Sequence, residues 1–167
     1  MTTMSETPAV GPRPNEDTPA TRARATHLFP TDGERVWRAF SDFGGIAAWH
    51  PLIAASHLEE VPVATGHAAP TVRLLRTVDG AMIREELLER DERRRTLGYR
   101  FLDSPFPVSD YRATVVVATP QGPDGGCKVT WTALFVPHDP ATAESLRRTF
   151  GDDVFHTGLR SLQDHLD

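Results

Sequence analysis

The sequence predicts an α+β domain in which a curved antiparallel sheet of about seven strands wraps around a long C-terminal helix. Two observations carry this prediction. Between residues 72 and 136, apolar and polar residues alternate with the period of two that is typical of half-buried strands. After residue 139 the apolar residues recur near i, i+4 spacing, which indicates a long amphipathic helix. The strands therefore have a helical face to pack against.

The composition is that of an ordinary globular protein. The chain has 167 residues, of which 39% are hydrophobic and 25% charged, and its single cysteine excludes an internal disulfide. All but one of the 18 basic residues are arginines interspersed with acids, and the net charge is -5, which argues against nucleic acid as a partner. No apolar run approaches the roughly 20 residues that span a bilayer. We expect a cytoplasmic protein, a monomer or homodimer, with no membrane association.

The N-terminal segment differs from the rest of the chain. Residues 1–21 hold four prolines and many small polar residues but no aromatic residue. Such a segment cannot bury enough apolar surface to offset the entropy of ordering. We predict a disordered tail over residues 1–21 and one folded domain over residues 22–167.

A strand and two short helices open the folded domain. Arg24 to Phe29 reads as the first strand, and Thr31-Asp32-Gly33-Glu34 has the form of a capping box with Thr31 as N-cap. The helix that follows would bury Val36, Trp37 and Phe40. Phe43 to Trp49 predicts a second short helix.

The clearest hairpin signal is Asp79-Gly80, which lies between strands Val72–Val78 and Ala81–Arg90. Asp-Gly favours a two-residue type I′ turn, and a two-residue turn fixes the register of the strands. The predicted pairs on one face are Ile83 with Arg76, Glu85 with Leu74, and Leu87 with Val72.

The later strands follow the same logic. A three-residue loop, Asp91-Glu92-Arg93, would place Leu97 beside Leu87, Tyr99 beside Glu85, and Phe101 beside Ile83. Strands at Ser109–Thr119 and Cys127–Val136 are predicted from alternation, with a turn over Gln121–Gly126. Their inward residues would be Tyr111, Ala113, Val115 and Val117 on the first, and Val129, Trp131, Ala133 and Phe135 on the second.

The C-terminal helix has a recognisable start in Asp139-Pro140, an N-cap residue followed by a first-turn proline, and could continue to Leu166. Its predicted apolar stripe is Leu146, Phe150, Val154, Leu159, Leu162 and Leu166. Gly151 and Gly158 weaken a helix by about 1 kcal/mol each relative to alanine. We expect both glycines to permit a close approach or leave room beside them.

One face of the predicted sheet is apolar except for a few polar groups, and among these Glu85 is the strongest functional candidate. An apolar environment requires a carboxylate to be paired or to raise its pKa. Glu85 could act as a general acid/base or anchor a ligand, with Tyr99 and Tyr111 as hydroxyl donors. The alternative is a structural ion pair with Arg76, placed diagonally across the hairpin.

Other kinds of site are not indicated. The seven histidines lack zinc spacing, no glycine-rich loop follows a strand to hold phosphates, and no serine lies in a nucleophile elbow. We therefore expect no cofactor and no metal. His50, in Trp49-His50-Pro51, lies where a pocket mouth could be, although a surface histidine beside a buried tryptophan is the simpler interpretation.

Four segments of the chain carry motifs of a known family, namely VWRAFSDFGGIAAWHPLI (36–53), VRLLRTVDGAMIREELLERD (72–91), LGYRFLDSPFPVSDYRATVVV (97–117) and TWTALF (130–135). They resemble the START-like, or SRPBCC, superfamily with its helix-grip fold, and most closely its polyketide cyclase/dehydratase-like branch. Plant abscisic acid receptors are also similar. However, their gate, latch and anchoring lysine are replaced here by Val78 to Ala81, Phe106 to Val108, and Ala54.

In these relatives the residues matching Glu85 and Tyr111 face a ligand cavity. The resemblance thus implies cofactor-free cyclisation, dehydration or isomerisation of a small apolar or aromatic metabolite, with Glu85 and Tyr111 as catalytic residues. The alternatives are a non-catalytic ligand-binding or transport protein and, third, an accessory protein for another macromolecule. The predicted ligand-binding residues are Trp49, His50, Ile53, Leu74, Arg76, Ile83, Leu87, Tyr99, Phe101, Ala113, Val115, Trp131, Ala133, Phe150 and Val154.

Overall fold

The computed structural model describes residues 19–60, 69–120 and 125–167. The predicted tail therefore lies largely outside the described residues, as do His67, one of the seven histidines, and residues 121–124 of the predicted turn over Gln121–Gly126. Strand β1 already begins at Thr21. The strands are β1 (Thr21–Phe29), β2 (Ile53–Leu58), β3 (Val72–Thr77), β4 (Met82–Asp91), β5 (Thr96–Asp103), β6 (Val108–Ala118) and β7 (Cys127–Pro137).

Within the described residues, seven strands form one antiparallel sheet in the order β1-β7-β6-β5-β4-β3-β2, and a long C-terminal helix packs against it. The predicted fold class is therefore confirmed. Six strands were placed from the sequence. β2 was not, because Ile53–Leu58 is a short edge strand whose residues are only partly buried or exposed.

Two short helices follow β1, as the sequence predicts: α1 (Gly33–Ser41) and a 3₁₀ helix (Phe43–Ala48). Val36, Trp37 and Phe40 are the buried stripe of α1. The cap differs from the prediction, because the N-cap residue is Asp32, whose side chain accepts a hydrogen bond from the Glu34 N–H, and not Thr31.

The C-terminal helix runs from Pro140 to Leu166 with Asp139 as its N-cap, but it is not uniform. After a first 3₁₀ turn come α2 (Ala143–Arg148), a π-helical segment (Thr149–His156) and α3 (Thr157–Leu166). The wider π turn rotates the following residues around the axis, so Phe155 is fully buried although the i, i+4 stripe omits it. No helix of the described residues is long and apolar enough to cross a membrane.

The predicted register of the β3–β4 hairpin is wrong by one residue. The structure pairs Arg73 with Glu85 and Leu75 with Ile83, around the three-residue loop Val78-Asp79-Gly80. A type I′ turn needs positive φ at both central residues, whereas here only Gly80, at φ 93°, has it. Because side chains alternate between faces, the shift moves Arg73 and Leu75 inward and turns Leu74 and Arg76 outward.

The predicted register between β4 and β5 is also wrong, but the inward side chains of β5 lie on the predicted face of the sheet. The connection is the four-residue turn Glu92–Arg95, and Phe101 pairs with Glu85 while Tyr99 pairs with Leu87. These two pairs are shifted by two residues, which keeps Tyr99 and Phe101 on their predicted face, whereas a bulge between Leu87 and Glu89 makes the shift three residues nearer the turn. The alternation predicted for β6 and β7 is confirmed, since all eight of its inward residues are buried.

Candidate functional site

A cavity of about 300 Å³ lies between the inner face of the sheet and the C-terminal helix. Three elements surround its opening: the β3–β4 turn with Val78 and Asp79, the β5–β6 loop with Pro105 and Phe106, and the π segment with Asp153. Of these residues all but Phe106 are exposed. The hairpin turn, the loop and the π segment thus form a rim around the entrance.

Ten of the predicted site residues line this cavity. They are His50, Ile53, Ile83, Glu85, Tyr99, Phe101, Tyr111, Trp131, Phe150 and Val154. Five others are packed in the hydrophobic core outside the cavity wall, namely Trp49, Leu87, Ala113, Val115 and Ala133. Leu74 and Arg76 point away from the cavity as a result of the register shift.

Arg73 and Leu75 line the cavity but are not among the site residues predicted from the sequence. A three-residue turn at Val78-Asp79-Gly80, in place of the two-residue turn, places both side chains on the inner face. Ile46 and Phe106 also line the cavity, and no alternation in the sequence marks them because they lie outside the strands. The inner wall thus carries a cation beside its carboxylate.

Arg73 and Glu85 form a buried ion pair at the cavity wall. The exposed fraction is 3% for Arg73 and 5% for Glu85. The guanidinium Nε donates to Oε2 of Glu85 at 2.6 Å, and Nη2 lies 2.6 Å from the same oxygen. Oε1 has no hydrogen-bond partner among the residues that the structure describes. One carboxylate oxygen is therefore left to accept a hydrogen bond.

The guanidinium of Arg73 is fixed by further contacts. Its Nη1 donates to the Phe43 carbonyl at 3.0 Å, and its Cζ lies 4.0 Å from the centre of the Phe43 ring and 4.8 Å from that of Tyr99. Hydrogen bonding and cation–π contact together orient the cation. Glu85 is consequently paired with Arg73 in direct register, whereas the predicted diagonal pair with Arg76 does not form.

Burial dominates the titration behaviour of this cluster. Desolvation raises the pKa of Glu85 above its ordinary value, although the Arg73 charge and its hydrogen bond oppose the increase. Burial also raises the pKa of Tyr99 and of Tyr111, and the Glu85 carboxylate adds to both increases. Both phenols thus stay protonated, and each keeps an O–H that can donate.

Aromatic rings form much of the wall beside this polar cluster. The Tyr111 ring stacks on Phe101 with 3.7 Å between centroids, and Phe150 lies 5.0 Å from Tyr111. On the other side, Trp131 Nε1 donates to the Tyr99 hydroxyl at 3.1 Å. The tyrosine rings are therefore held by stacking and by a hydrogen bond, which fixes the position of their hydroxyl groups.

His50 is buried and lines the cavity, so the interpretation as a surface histidine is wrong. Nδ1 accepts from the Leu52 N–H at 3.2 Å, which assigns the proton to Nε2, and Nε2 lies 2.8 Å from the Val154 carbonyl. Burial lowers the pKa of His50. The ring is therefore a neutral bridge between the loop before β2 and the π segment.

The two glycines of the C-terminal helix make the close approaches that the sequence predicts. A Cβ at Gly158 would lie 2.6 Å from His50 Cδ2, and one at Gly151 would lie 3.3 Å from the Arg24 carbonyl oxygen. Gly158 thus makes room for the His50 ring.

The polar cluster of Arg73, Glu85, Tyr99 and Tyr111 can accept and donate hydrogen bonds at the wall of a largely apolar cavity.

The sequence of residues 20–167 matches the family model described as polyketide cyclase / dehydrase and lipid transport. Among curated proteins, none matches this chain significantly. Solved structures do match. XoxI from Bacillus cereus is 26% identical with a TM-score of 0.73, covering 88% of this chain and 96% of that protein.

A protein from Thermobifida fusca is 35% identical, with a TM-score of 0.71, and the match covers 85% of this chain and 90% of that protein. A Nitrosospira multiformis protein shares the fold at 18% identity and a TM-score of 0.67, over 87% of this chain and 96% of that one. The predicted resemblance to the START-like superfamily and its polyketide cyclase branch is thereby confirmed.

Proposed function

The chain belongs to the polyketide cyclase / dehydrase and lipid transport family, and from that premise we propose that it binds a small, apolar, partly oxygenated molecule in its cavity. The observation that carries the proposal is the combination of an aromatic-walled cavity of about 300 Å³ with a buried Arg73–Glu85 pair in its wall. Small-molecule sites usually combine apolar walls with a few fixed polar groups.

The polar groups define what the ligand must offer. Glu85 Oε1 is an acceptor, so a ligand hydroxyl or enol that donates to it would complete its hydrogen bonding. The protonated hydroxyl of Tyr111 can donate to a ligand carbonyl. A cavity of this size lies near the lower end of the ~300–1,000 Å³ range for drug-sized ligands, which favours a compact aromatic or alicyclic metabolite.

Acid/base catalysis on the same ligand is the second candidate, and the raised pKa of Glu85 favours it. A carboxylate whose pKa is raised is a stronger base and is better matched to proton transfer near neutral pH. Glu85 would take a proton from the bound molecule while Tyr111 stabilises the resulting enolate oxygen. The cavity would hold a polyketide-like metabolite in position for cofactor-free cyclisation, dehydration or isomerisation in the cytoplasm.

The test incubates a small-molecule extract of the source organism with wild-type protein, Glu85→Gln, Glu89→Gln and Ala81→Leu. Glu89 is exposed on the same strand as Glu85 and provides the matched control. Ala81 lines the cavity near its opening, so a leucine there narrows the entrance. Native mass spectrometry detects bound compounds, and chromatography with mass spectrometry detects converted ones.

We expect a compound that co-purifies with wild type and Glu89→Gln but is lost from Ala81→Leu. Conversion by wild type and Glu89→Gln, absent with a folded Glu85→Gln, would establish catalysis and the role of Glu85. An unchanged compound bound to all but Ala81→Leu would instead support a carrier or sensor. If none of the four proteins binds or converts a compound, the proposed function is wrong.

A further inference from the structure

A second concave site lies outside the ligand cavity, where β1 meets the C-terminal helix. This cleft has a volume of about 370 Å³. Arg22 and Arg24 line it from β1, while Arg147 and Arg148 line it from the end of α2. Four arginines from the two ends of the chain thus line one cleft, although the net charge of the protein is -5.

Two of these arginines form no ion pair with the residues that the structure describes. Arg147 donates through Nε to Glu144 at 2.9 Å, and Arg148 Nε lies 3.5 Å from the same carboxylate. Arg22 and Arg24 have no carboxylate within ion-pair distance in the described part of the chain. Even with the Glu144 and Asp152 carboxylates of the cleft counted, a positive excess remains.

The backbone leaves space between the arginines. Arg22 and Arg24 alternate with the buried Ala23 and Ala25, so both are exposed, and β1 is the edge strand of the sheet. Gly151 lies against the β1 backbone, and a Cβ there would meet the Arg24 carbonyl oxygen at 3.3 Å. The glycine therefore brings the helix close to the strand and contributes no side chain to the cleft.

From this geometry we infer that the cleft is an anion site for a compact phosphate-bearing small molecule. Guanidinium groups bind phosphate oxygens through paired N–H donors, and Arg22 and Arg24 have such donors available. The flanking Glu144 and Asp152 carboxylates disfavour an extended polyanion, whose further charges would meet them. This site is separate from the ligand cavity, with which it shares no lining residue.

The test titrates the full chain with inorganic phosphate and pyrophosphate and, in parallel, with an oligonucleotide and with anionic lipid vesicles. Calorimetry and amide chemical shifts measure the binding. The titration is done at low ionic strength, because salt screens exposed charges. The variant is Arg22→Gln/Arg24→Gln, in which both residues are exposed. The matched control is Arg112→Gln/Arg160→Gln, which removes the same charge from two other exposed positions. Circular dichroism verifies that both variants are folded.

We expect saturable binding of pyrophosphate by wild type, with shift changes at Gly151 and at the β1 amides. Binding should weaken at least tenfold in Arg22→Gln/Arg24→Gln and less than twofold in the control. Equal weakening in both variants would show that binding depends only on net charge, and would overturn the proposed site. No saturation at millimolar pyrophosphate would overturn it too, as would binding confined to an oligonucleotide or to anionic lipid vesicles.

Discussion

Replacing Arg73 by methionine tests whether the buried ion pair organises the cavity. Methionine keeps an apolar stem of similar length but removes the cation, leaving the Glu85 carboxylate, 5% exposed, without its partner. Removing one partner of a buried pair costs about 3–5 kcal/mol. Unit charges ~4 Å apart at an effective dielectric constant of ~20 interact by about 4 kcal/mol, which agrees.

The expected loss depends on pH in a defined direction. The pKa of Glu85 is already raised by burial, and loss of Arg73 removes the opposing contribution. A carboxyl group with a higher pKa in the folded state binds more protons than in the unfolded state, so stability falls as pH rises above the unfolded value of about 4.5. The destabilisation of Arg73→Met should therefore be largest at neutral pH and shrink towards pH 4.5.

Urea denaturation, monitored by tryptophan fluorescence at several pH values, measures the free energy of unfolding of each variant. The matched variant is Arg73→Met/Glu85→Gln, which also removes the carboxylate and so should lose the pH dependence. We expect Arg73→Met to lose about 3–5 kcal/mol of unfolding free energy at pH 7 and the double variant to recover a substantial part. A loss that does not change with pH, or a double variant no more stable than Arg73→Met, would refute the reasoning.

Three further predictions concern backbone and thiol positions. Gly158→Ala should lower the unfolding free energy by about 1–3 kcal/mol, because its Cβ would lie 2.6 Å from His50 Cδ2; a gain in urea denaturation would contradict this. Gly80→Ala should lower the unfolding free energy by about 1–2 kcal/mol through its φ of 93° alone, since nothing lies near its Cβ. Gly98→Ala, whose Cβ would make ordinary contacts, should cost less, and thermal melts of the two variants measure the difference. Cys127 is buried with its pKa raised to about 11, so a thiol reagent at pH 7 should label it only in denaturant; rapid labelling of the folded protein would show that the thiol is accessible.

The order of the elements and the family could be predicted because they depend on local patterns. Period-two alternation identified the buried residues of β6 and β7, and Asp139-Pro140 marked the start of the C-terminal helix. Glu85 and Tyr111 were placed on the cavity side, although the predicted register of β4, the strand of Glu85, was wrong. Shifts of two residues preserve the face of a strand, so the prediction for β5 survived its register error.

The partner of Glu85 could not be obtained in the same way. Its identity depends on whether one or two residues of the Asp79-Gly80 turn adopt positive φ, and that choice moved Arg73 into the cavity in place of Leu74 and Arg76. Local composition is compatible with both turns. Only the packing of the whole sheet, which buries one face, separates them.

The sequence by itself determined the fold class, the family and the presence of a carboxylate in an apolar setting, since these follow from periodicity and motifs. The tertiary structure decided that Arg73 neutralises Glu85, that His50 is a buried bridge, and that Arg22 and Arg24 meet Arg147 and Arg148 in one cleft. Each of these contacts joins residues from different elements. Their distance is set by how strands register and helices dock, and no local pattern encodes it.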